Sequence, residues 1–319
     1  MNNILKKVSL FVYFLCFLQI NLSATQNDST VYQSGANPEA TEETDTEIIL
    51  DTLSFKYKFI PGDSLYYSVY SRDSISINFD DPLLRLREEK ILITCDSINS
   101  AGNFCLTQTM INFTAIESYK EQQNVKREST NWLNVPIYIE LDSLGRRIKL
   151  SNPDTNLAAA TPGGAFQPIL LLPLIQKGLN LKAKNESWLN SSMDMLAENA
   201  MPVPVFKSMT LMRVMGHVDT LGYNTIKFSF SRSGQASHEL VTKEYSMKTS
   251  AVINSGGDFF LDTNLWVPVH LVHSMEQKLR FYYPDNRDQP GKHFISSTFI
   301  LDKIIRPDKK NTGKNINKQ

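Results

Sequence analysis

The sequence predicts a mainly β protein: a curved antiparallel sheet or half-barrel, built either as one elongated body or as two related β halves. Three observations support this prediction. Several segments alternate apolar and polar residues with the two-residue period of a half-buried strand. Turn-forming residues separate these segments. With 319 residues, of which 41% are apolar and 21% charged, the chain has the composition of a folded protein with a sizeable core.

The first β half is expected over residues 51–150. Residues 74–79 alternate polar and apolar side chains without a fault, and residues 91–95 and 104–113 follow as further strands. Residues 99–102 and 142–145 combine Asn or Asp with Ser and Gly, so we expect each of them to turn the chain between two strands.

A connecting segment is expected over residues 151–207. Within it, residues 162–175 form the most apolar run outside the amino terminus and contain Pro168 and Pro173, which oppose both a central strand and a long helix. We therefore expect irregular structure or a short helix. Three interpretations of the run remain open: a buried plug between the halves, a wall or lid of a ligand pocket, or a contact with a partner or a membrane.

The second β half is expected over residues 208–304. Residues 254–258 place two consecutive glycines between polar residues, which is typical of a hairpin turn. Residues 265–281 give the longest strand signal, and Pro268 is expected at an edge or a bulge because it lacks a backbone donor. A weak similarity in the order of turns and strands is what a duplicated β unit would produce.

The ends of the chain differ in composition from the two halves. Residues 1–24 combine a basic start, an apolar centre and a small-residue exit, which predicts a secretory signal peptide. The alternative is a retained membrane anchor, but the apolar run is shorter than the roughly 20 residues of a spanning helix. Residues 25–50 are expected to be a disordered acidic linker, and residues 305–319 a disordered basic tail. The mature chain is expected to be exported, to a periplasmic, cell-surface or secreted location, without an integral membrane span.

Removal of the signal peptide would leave Cys95 and Cys105 as the two mature cysteines. In an exported protein, an even pair on either side of a turn predicts a disulfide across a hairpin. Two unbridged buried thiols are the alternative. Two cysteines without neighbouring histidines do not complete a zinc shell, so no metal site is predicted, and no cofactor is predicted either.

Charge and motifs argue against two classes of function. The 33 Lys and Arg residues balance the 33 Asp and Glu residues, so no overall field favours nucleic acid. The sequence contains no phosphate-binding glycine loop, nucleophile elbow or metalloprotease helix, which argues against an enzyme. His270 and His273 are three residues apart on a strand and are therefore expected on opposite faces, where they cannot share a metal ion.

Some polar residues fall in rows of apolar residues. His273 and Gln277 share the parity of the apolar residues from Leu265 to Phe281, and Arg213 shares the parity of neighbouring apolar residues. Polar groups that face a core need hydrogen-bond partners. These partners are either loop backbone and other side chains, or the head of a ligand held at the mouth of an apolar pocket. The candidate ligand-binding residues are Phe166, Ile169, Leu172, Trp188, Arg213, His273 and Gln277.

Short motifs add a resemblance to a known class of proteins. Leu172-Pro173, the later Glu186-Ser187-Trp188 and the turns at 142–145 and 256–258 resemble those of uncharacterised exported β-rich proteins of Bacteroidota-type bacteria. These proteins are distantly similar to envelope lipoprotein carriers with a curved antiparallel half-barrel. The resemblance covers residues 55–300 and implies an envelope location and hydrophobic-ligand binding. It transfers no functional residue, and the absence of a lipid-attachment site departs from the carriers' pattern.

The leading prediction for function is non-catalytic binding of an apolar or amphipathic, lipid-like ligand in the cell envelope. A second hypothesis is a structural component or a partner of another envelope protein, which would use exposed sheet edges near Pro268 for strand addition. A third is a hydrolase whose catalytic residues are dispersed in the sequence.

Overall fold

The computed structural model describes residues 55–130, 132–151, 171–172, 174, 187–195, 205–241 and 246–307. The predicted signal peptide, the acidic linker, most of the basic tail, and Phe166 and Ile169 lie outside these residues. Within the described ranges the chain forms strands, turns and bends, and none of those residues belongs to a helix that is long and apolar enough to cross a membrane.

Twelve strands account for most of the described residues. Their bounds are β1 Ser64–Ile77, β2 Leu83–Ile98, β3 Phe104–Tyr119, β4 Gln122–Arg127, β5 Pro136–Leu141, β6 Arg147–Ser151, β7 Ser187–Met195, β8 Val205–Thr220, β9 Tyr223–Val241, β10 Ser246–Asp262, β11 Pro268–Tyr282 and β12 Asp288–Ile305. The alternation of buried and exposed side chains along β1, β2, β11 and β12 is the pattern that predicted strands.

All twelve strands belong to one open antiparallel sheet with the order β6-β5-β3-β2-β1-β12-β11-β10-β9-β8-β7, and β4 pairs with β3. The prediction of a mainly β, antiparallel fold is therefore confirmed. The ladder between β1 and β12 joins the two predicted halves in the middle of the sheet. The strands β6 and β7 end the order, and some of their Cα atoms approach within 8 Å although no backbone ladder joins them among the described residues.

One side of the sheet, called the inner face below, contains the core. A single cluster of buried apolar residues joins strands from both ends of the sheet order. The chain enters this cluster before β1: Phe55, Tyr57 and Phe59 are all buried and lie against different strands. Phe55 packs edge-on against Phe228 of β9, with ring centroids 4.9 Å apart, and Phe59 packs against Phe104 of β3. The segment therefore crosses the inner face and links distant strands.

The turns at 99–102 and 142–145 are confirmed. Gly102 and Gly145 adopt positive φ angles of 82° and 81°, and the backbone N–H of each donates to the carbonyl three residues earlier. They connect β2 with β3 and β5 with β6.

The predicted hairpin turn at 254–258 is wrong, because these residues lie inside β10 and pair with both β9 and β11. The two glycines have a packing role instead. A Cβ atom on Gly257 would lie 2.0 Å from the carbonyl oxygen of Val272 on β11, and one on Gly256 would lie 3.1 Å from the carbonyl oxygen of Phe230 on β9. Glycine therefore permits the close approach of three backbones, a use that the sequence does not distinguish from a turn.

Two further predictions need correction. Residues Ser187–Met195 form strand β7 of the sheet, although they lie in the segment 151–207 that was expected to connect the two β halves. Pro268 begins β11 beside a bulge in its pairing with β10, as expected, but β11 is an interior strand between β10 and β12. The hypothesis of strand addition at an exposed edge near Pro268 is therefore wrong in its location, because both neighbouring positions are occupied.

The predicted disulfide is also wrong, because Cys95 and Cys105 are free thiols. The side chain of Cys95 is buried on the inner face, and its Sγ lies 3.7 Å from the carbonyl oxygen of Ser97. Cys105 lies between the buried Phe104 and Leu106, so the alternation of β3 directs its side chain to the opposite face. The two sulfur atoms therefore point away from each other across the hairpin.

Candidate functional site

The inner face carries a buried polar region beside its apolar core. This region, called the inner polar zone below, has side chains that share the parity of the core residues on the same strands. Its members are Ser71 and Asp73 of β1, Arg85, Arg87 and Glu89 of β2, Glu117 of β3, His273 and Gln277 of β11, and His293 and Ser297 of β12. Each of these side chains is buried, which is uncommon for charged groups unless they are paired.

The charged members of the inner polar zone form one network. Arg87 holds Asp73 through two contacts, of 2.5 Å from Nε to Oδ2 and 3.1 Å from Nη2 to Oδ1, and its Nη1 also binds Glu89. Arg85 lies 3.2 Å from Glu117 and 4.0 Å from Asp73. The network satisfies the condition under which buried charges are tolerated, because every carboxylate in it has a cationic partner.

This network sets the protonation of Asp73. Burial alone would raise the pKa of its carboxyl group, but the guanidinium of Arg87 and the hydrogen bond from His293 outweigh burial and hold the pKa well below its usual range. Burial would likewise lower the pKa of Arg87, and Asp73 and Glu89 raise it instead. The aspartate and the arginine are therefore both ionised at neutral pH.

His273, Gln277 and His293 differ from the network because they carry buried atoms without a partner. Among the residues that the structure describes, no partner donates to or accepts from either ring nitrogen of His273, Oε1 of Gln277 or Nδ1 of His293. The three side chains are 3%, 0% and 1% exposed. Burial, assisted by the positive charge of Arg87, lowers the pKa of His273 to about 4, so its imidazole is neutral at pH 7.

Gln277 and His293 have aliphatic cross-strand neighbours on β10 and β1, although His293 also contacts Asp73. The two residues lie opposite each other in the ladder between β11 and β12. On its other side Gln277 faces Ile253 of β10, and His293 faces Ile75 of β1. An amide oxygen and a ring nitrogen therefore stand together among aliphatic side chains, where nothing in the described structure donates to them.

Trp188 and His273 belong to the same cross-strand row of the inner face. The row runs from Trp188 of β7 through Met212, Phe230 and Gly257 to His273 of β11. Trp188 is buried and stacks with Phe55 at a centroid distance of 6.5 Å, and no described residue accepts a hydrogen bond from its Nε1 atom. The structure thus connects two of the predicted site residues by a largely apolar row.

The other predicted site residues have different positions. Leu172 is fully buried in the core cluster, where its carbonyl oxygen accepts a hydrogen bond from Tyr57. Arg213 is exposed on the outer face of β8, together with Met209 and Leu211. The sequence did not show which face of β8 is buried, because both faces carry apolar residues. The buried row is the one that contains Met212, and Arg213 belongs to the other row. Arg213 therefore does not meet His273 and Gln277 on the inner face.

The sequence did indicate the position of the two neighbouring histidines on β11. His273 faces inward, and His270 is on the opposite face, where its ring stacks on Phe260 at a centroid distance of 5.0 Å. The predicted separation of the pair is confirmed.

In the part of the chain that the structure describes, no three His, Cys, Asp or Glu side chains are grouped closely enough to hold a metal ion.

The charged network was missed by the sequence reasoning, although a signal was present. Arg85, Arg87 and Glu89 share the parity of Ile91, Ile93 and Cys95 along β2, so one face of this strand changes from charged to apolar. The alternation of side chains along β2 does not by itself show whether these charges are buried or exposed to solvent. Only the pairing with Asp73 of β1 and Glu117 of β3 shows that these charges neutralise each other on the inner face.

Comparisons with known proteins give distant likenesses. No protein-family model matches the chain, and no curated protein matches it. A solved structure that describes lipid–protein interactions in lipovitellin is 14% identical, with a TM-score of 0.41, and the match covers 78% of this chain and 26% of that one. A loop-deletion mutant of OmpT, an outer membrane protein of Vibrio cholerae, is 7% identical, with a TM-score of 0.17, and the match covers 75% of this chain and 99% of that one. This chain thus spans about a quarter of the lipovitellin chain. Both TM-scores are below 0.5, and the relationship to Bacteroidota-type exported proteins stays a prediction.

Proposed function

We propose that the protein binds an amphipathic, lipid-like molecule against the inner face of its sheet and acts as a non-catalytic binding protein. The observation that carries this proposal is a group of buried polar atoms on His273, Gln277 and His293 that have no hydrogen-bond partner among the described residues. Buried polar groups in folded proteins are nearly always hydrogen-bonded, because leaving one unpaired costs about 1–3 kcal/mol. A bound ligand with a polar group would supply the partners.

The apolar surroundings favour a ligand that also has an apolar part. The ring of His273 lies 6.1 Å from the ring of Phe299, and its cross-strand row continues through Phe230 and Met212 to Trp188. A molecule whose polar group contacts His273 would therefore place its chain along aromatic and aliphatic side chains. Mostly apolar surfaces with a few polar groups are typical of small-molecule sites.

Native mass spectrometry after gentle purification tests this proposal. The wild-type protein is expected to retain a small amphipathic molecule. His273→Phe replaces the imidazole with an aromatic ring that has no nitrogen atoms, so it should reduce the retained fraction. His270→Phe is the matched control on the opposite face of the same strand. A clean, unliganded mass for the wild type, together with no uptake of added lipid, would overturn the proposal.

Thermal unfolding separates a binding role of His273 from a structural one. Because its nitrogen atoms have no hydrogen-bond partner in the described part of the chain, His273→Phe should leave the unliganded protein as stable as the wild type or more stable. A loss of more than about 2 kcal/mol in the variant would show that the imidazole supports the fold.

The proposed setting is outside the cytoplasm. Support for it comes from the basic start, the apolar centre and the small-residue exit of residues 1–24. Amino-terminal sequencing of protein recovered from the extracytoplasmic fraction should find a chain that begins near Thr25. Recovery of the intact amino terminus in the cytoplasm would contradict this setting.

A second candidate function is protein association through strand β7, which ends the strand order. Leu189 of β7 lies opposite Leu211 of β8, and with Met209 they form an outer-face patch whose side chains are all exposed. An exposed apolar patch beside a sheet edge suits pairing with a second copy of the chain. Sedimentation analysis should then show a dimer that Leu211→Asp dissociates, and a monomer at all concentrations would exclude this function.

A further inference from the structure

Gln277 and His293 present two hydrogen-bond acceptors side by side. They face each other in the ladder between β11 and β12, where opposite side chains have Cβ atoms about 5 Å apart. Oε1 of Gln277 has no hydrogen-bond partner within the described ranges, while Nε2 of the same amide lies 3.7 Å from the sulfur of Met275. The amide oxygen can only accept a hydrogen bond.

The proton of His293 is placed by Asp73. Nε2 of His293 lies 3.2 Å from Oδ1 of Asp73, whose carboxylate is ionised, so Nε2 carries the proton and donates it. Burial lowers the pKa of His293 in spite of this hydrogen bond, and the charges of Arg85 and Arg87 act in the same direction. The ring is therefore neutral, and its unpartnered Nδ1 atom is an acceptor.

The charges near the acceptor pair are already matched. Asp73 and Glu89 are held by Arg87, and Glu117 is held by Arg85 and by Arg127 at 3.0 Å. Farther along the inner face, Nε of Arg232 donates to Ser208 of β8, on the side away from β11. A charged ligand group would lose its hydration here without gaining an unused counter-charge.

We propose that the polar part of the bound molecule is an uncharged group that donates hydrogen bonds, such as the hydroxyl groups of a monoacylglycerol. This inference rests on the proposed function and specifies the ligand class for the same site. Two adjacent acceptors require at least two donors, which a pair of neighbouring hydroxyl groups supplies.

The same geometry disfavours the two common charged alternatives. An ionised carboxylate has no hydrogen to donate, so it would place its oxygen atoms against the lone pairs of Gln277 and His293. An ammonium group could donate, but the burial and the arginine charges that disfavour a protonated His293 would also disfavour this cation. The site should therefore select a ligand group that can donate hydrogen bonds and carries no charge.

Calorimetric titration with three probes of equal chain length tests the inference. The probes are 1-monolauroylglycerol, laurate and dodecylamine, each below its critical micelle concentration. The glycerol ester is expected to bind at least about tenfold more tightly than either charged probe, which corresponds to about 1.4 kcal/mol. Gln277→Met replaces the amide with a side chain of similar length, so it should weaken the binding of the ester about tenfold without weakening the binding of laurate.

The adjacent Glu276→Gln variant is the control, because Glu276 lies on the outer face of the same strand and pairs with Lys292. It should leave all three affinities unchanged. Equal or tighter binding of laurate or dodecylamine would overturn this inference while preserving the proposed function. Equal weakening of all three probes by Gln277→Met would overturn it as well. Absence of binding by every probe would overturn both the function and the inference.

Discussion

The hydroxyl group of Tyr57 donates a 2.7 Å hydrogen bond to the carbonyl oxygen of Leu172, which lies 115 residues further along the chain. Both residues are buried in the core. Burial raises the pKa of Tyr57 well above its usual range, so the hydroxyl remains a donor. This bond ties the segment before β1 to part of the apolar run between the two halves of the chain.

Tyr57→Phe should lower the free energy of unfolding by about 1–3 kcal/mol, because the buried carbonyl of Leu172 loses its donor while the ring packing is retained. Urea unfolding followed by far-ultraviolet circular dichroism measures the change. Tyr70→Phe, which alters an exposed tyrosine of β1, should change stability by less than about 0.5 kcal/mol. Equal effects of the two substitutions would contradict the role of the Tyr57 hydrogen bond.

Asp73→Asn should be among the most damaging single substitutions in the sheet. It removes the carboxylate that holds Arg87 and leaves a buried cation partly uncompensated, at a cost of about 3–5 kcal/mol. Asp302→Asn is the comparison, because it breaks a more exposed pair with Lys90 and should cost less than about 1 kcal/mol. Chemical unfolding of both variants checks the difference, and similar losses would show that the buried network is not strongly coupled.

Acid should destabilise the protein between pH 6.5 and about 4, partly through His273. Its folded-state pKa of about 4 lies below the ordinary value of 6.5, so the unfolded chain binds more protons in this window. The contribution of His273 to the free energy of unfolding is complete above pH 6.5. It decreases by about 3 kcal/mol as the pH falls to about 4. Asp73 contributes only at lower pH, because its unfolded-state pKa is near 3.8 and its folded-state pKa is lower still.

Unfolding free energies of the wild type and His273→Phe, measured from neutral pH to about pH 5, isolate this contribution. The variant should show a flatter pH dependence because it lacks the titrating ring. Parallel curves for the two proteins would mean that His273 titrates normally in the folded state.

The two thiols should differ in reactivity. Burial is the main cause that raises the pKa of Cys95 to about 12, and the thiol is covered by the core, whereas Cys105 is partly exposed on the other face. Without reductant, iodoacetamide should therefore label Cys105 at least about tenfold faster than Cys95 in the folded protein. Peptide mapping by mass spectrometry assigns the labels. Labelling of neither residue until a reductant is added would restore the disulfide hypothesis.

The strands were the most predictable part of the fold. Alternation identified β11 over most of its length and placed His273 and Gln277 in the apolar row that is buried. Alternation failed at β8, where Leu211 and Met212 are both apolar and the sequence does not indicate which one is buried. It also failed at residues 254–258, because glycine serves both turns and close strand packing.

The relations between distant strands could not be predicted. The charged network requires Asp73, Arg87 and Glu117 from three strands, and each charge taken alone is typical of a solvated surface. The single sheet likewise depends on pairing between β1 and β12, which no local pattern specifies. The sequence therefore left one body and two related halves both open. Of the inner polar zone it indicated only His273 and Gln277, which lie on the same strand.

The pairing of β1 with β12 also bears on how the protein acquires its structure. Ser68 and Asp302, which are hydrogen-bonded across these strands, are 234 residues apart. During synthesis, β1 emerges first among the twelve strands and must wait for β12, which emerges last. The middle of the sheet is thus completed at the end of folding, which predicts slow maturation and an extended period in which β1 exposes an unpaired edge to other chains.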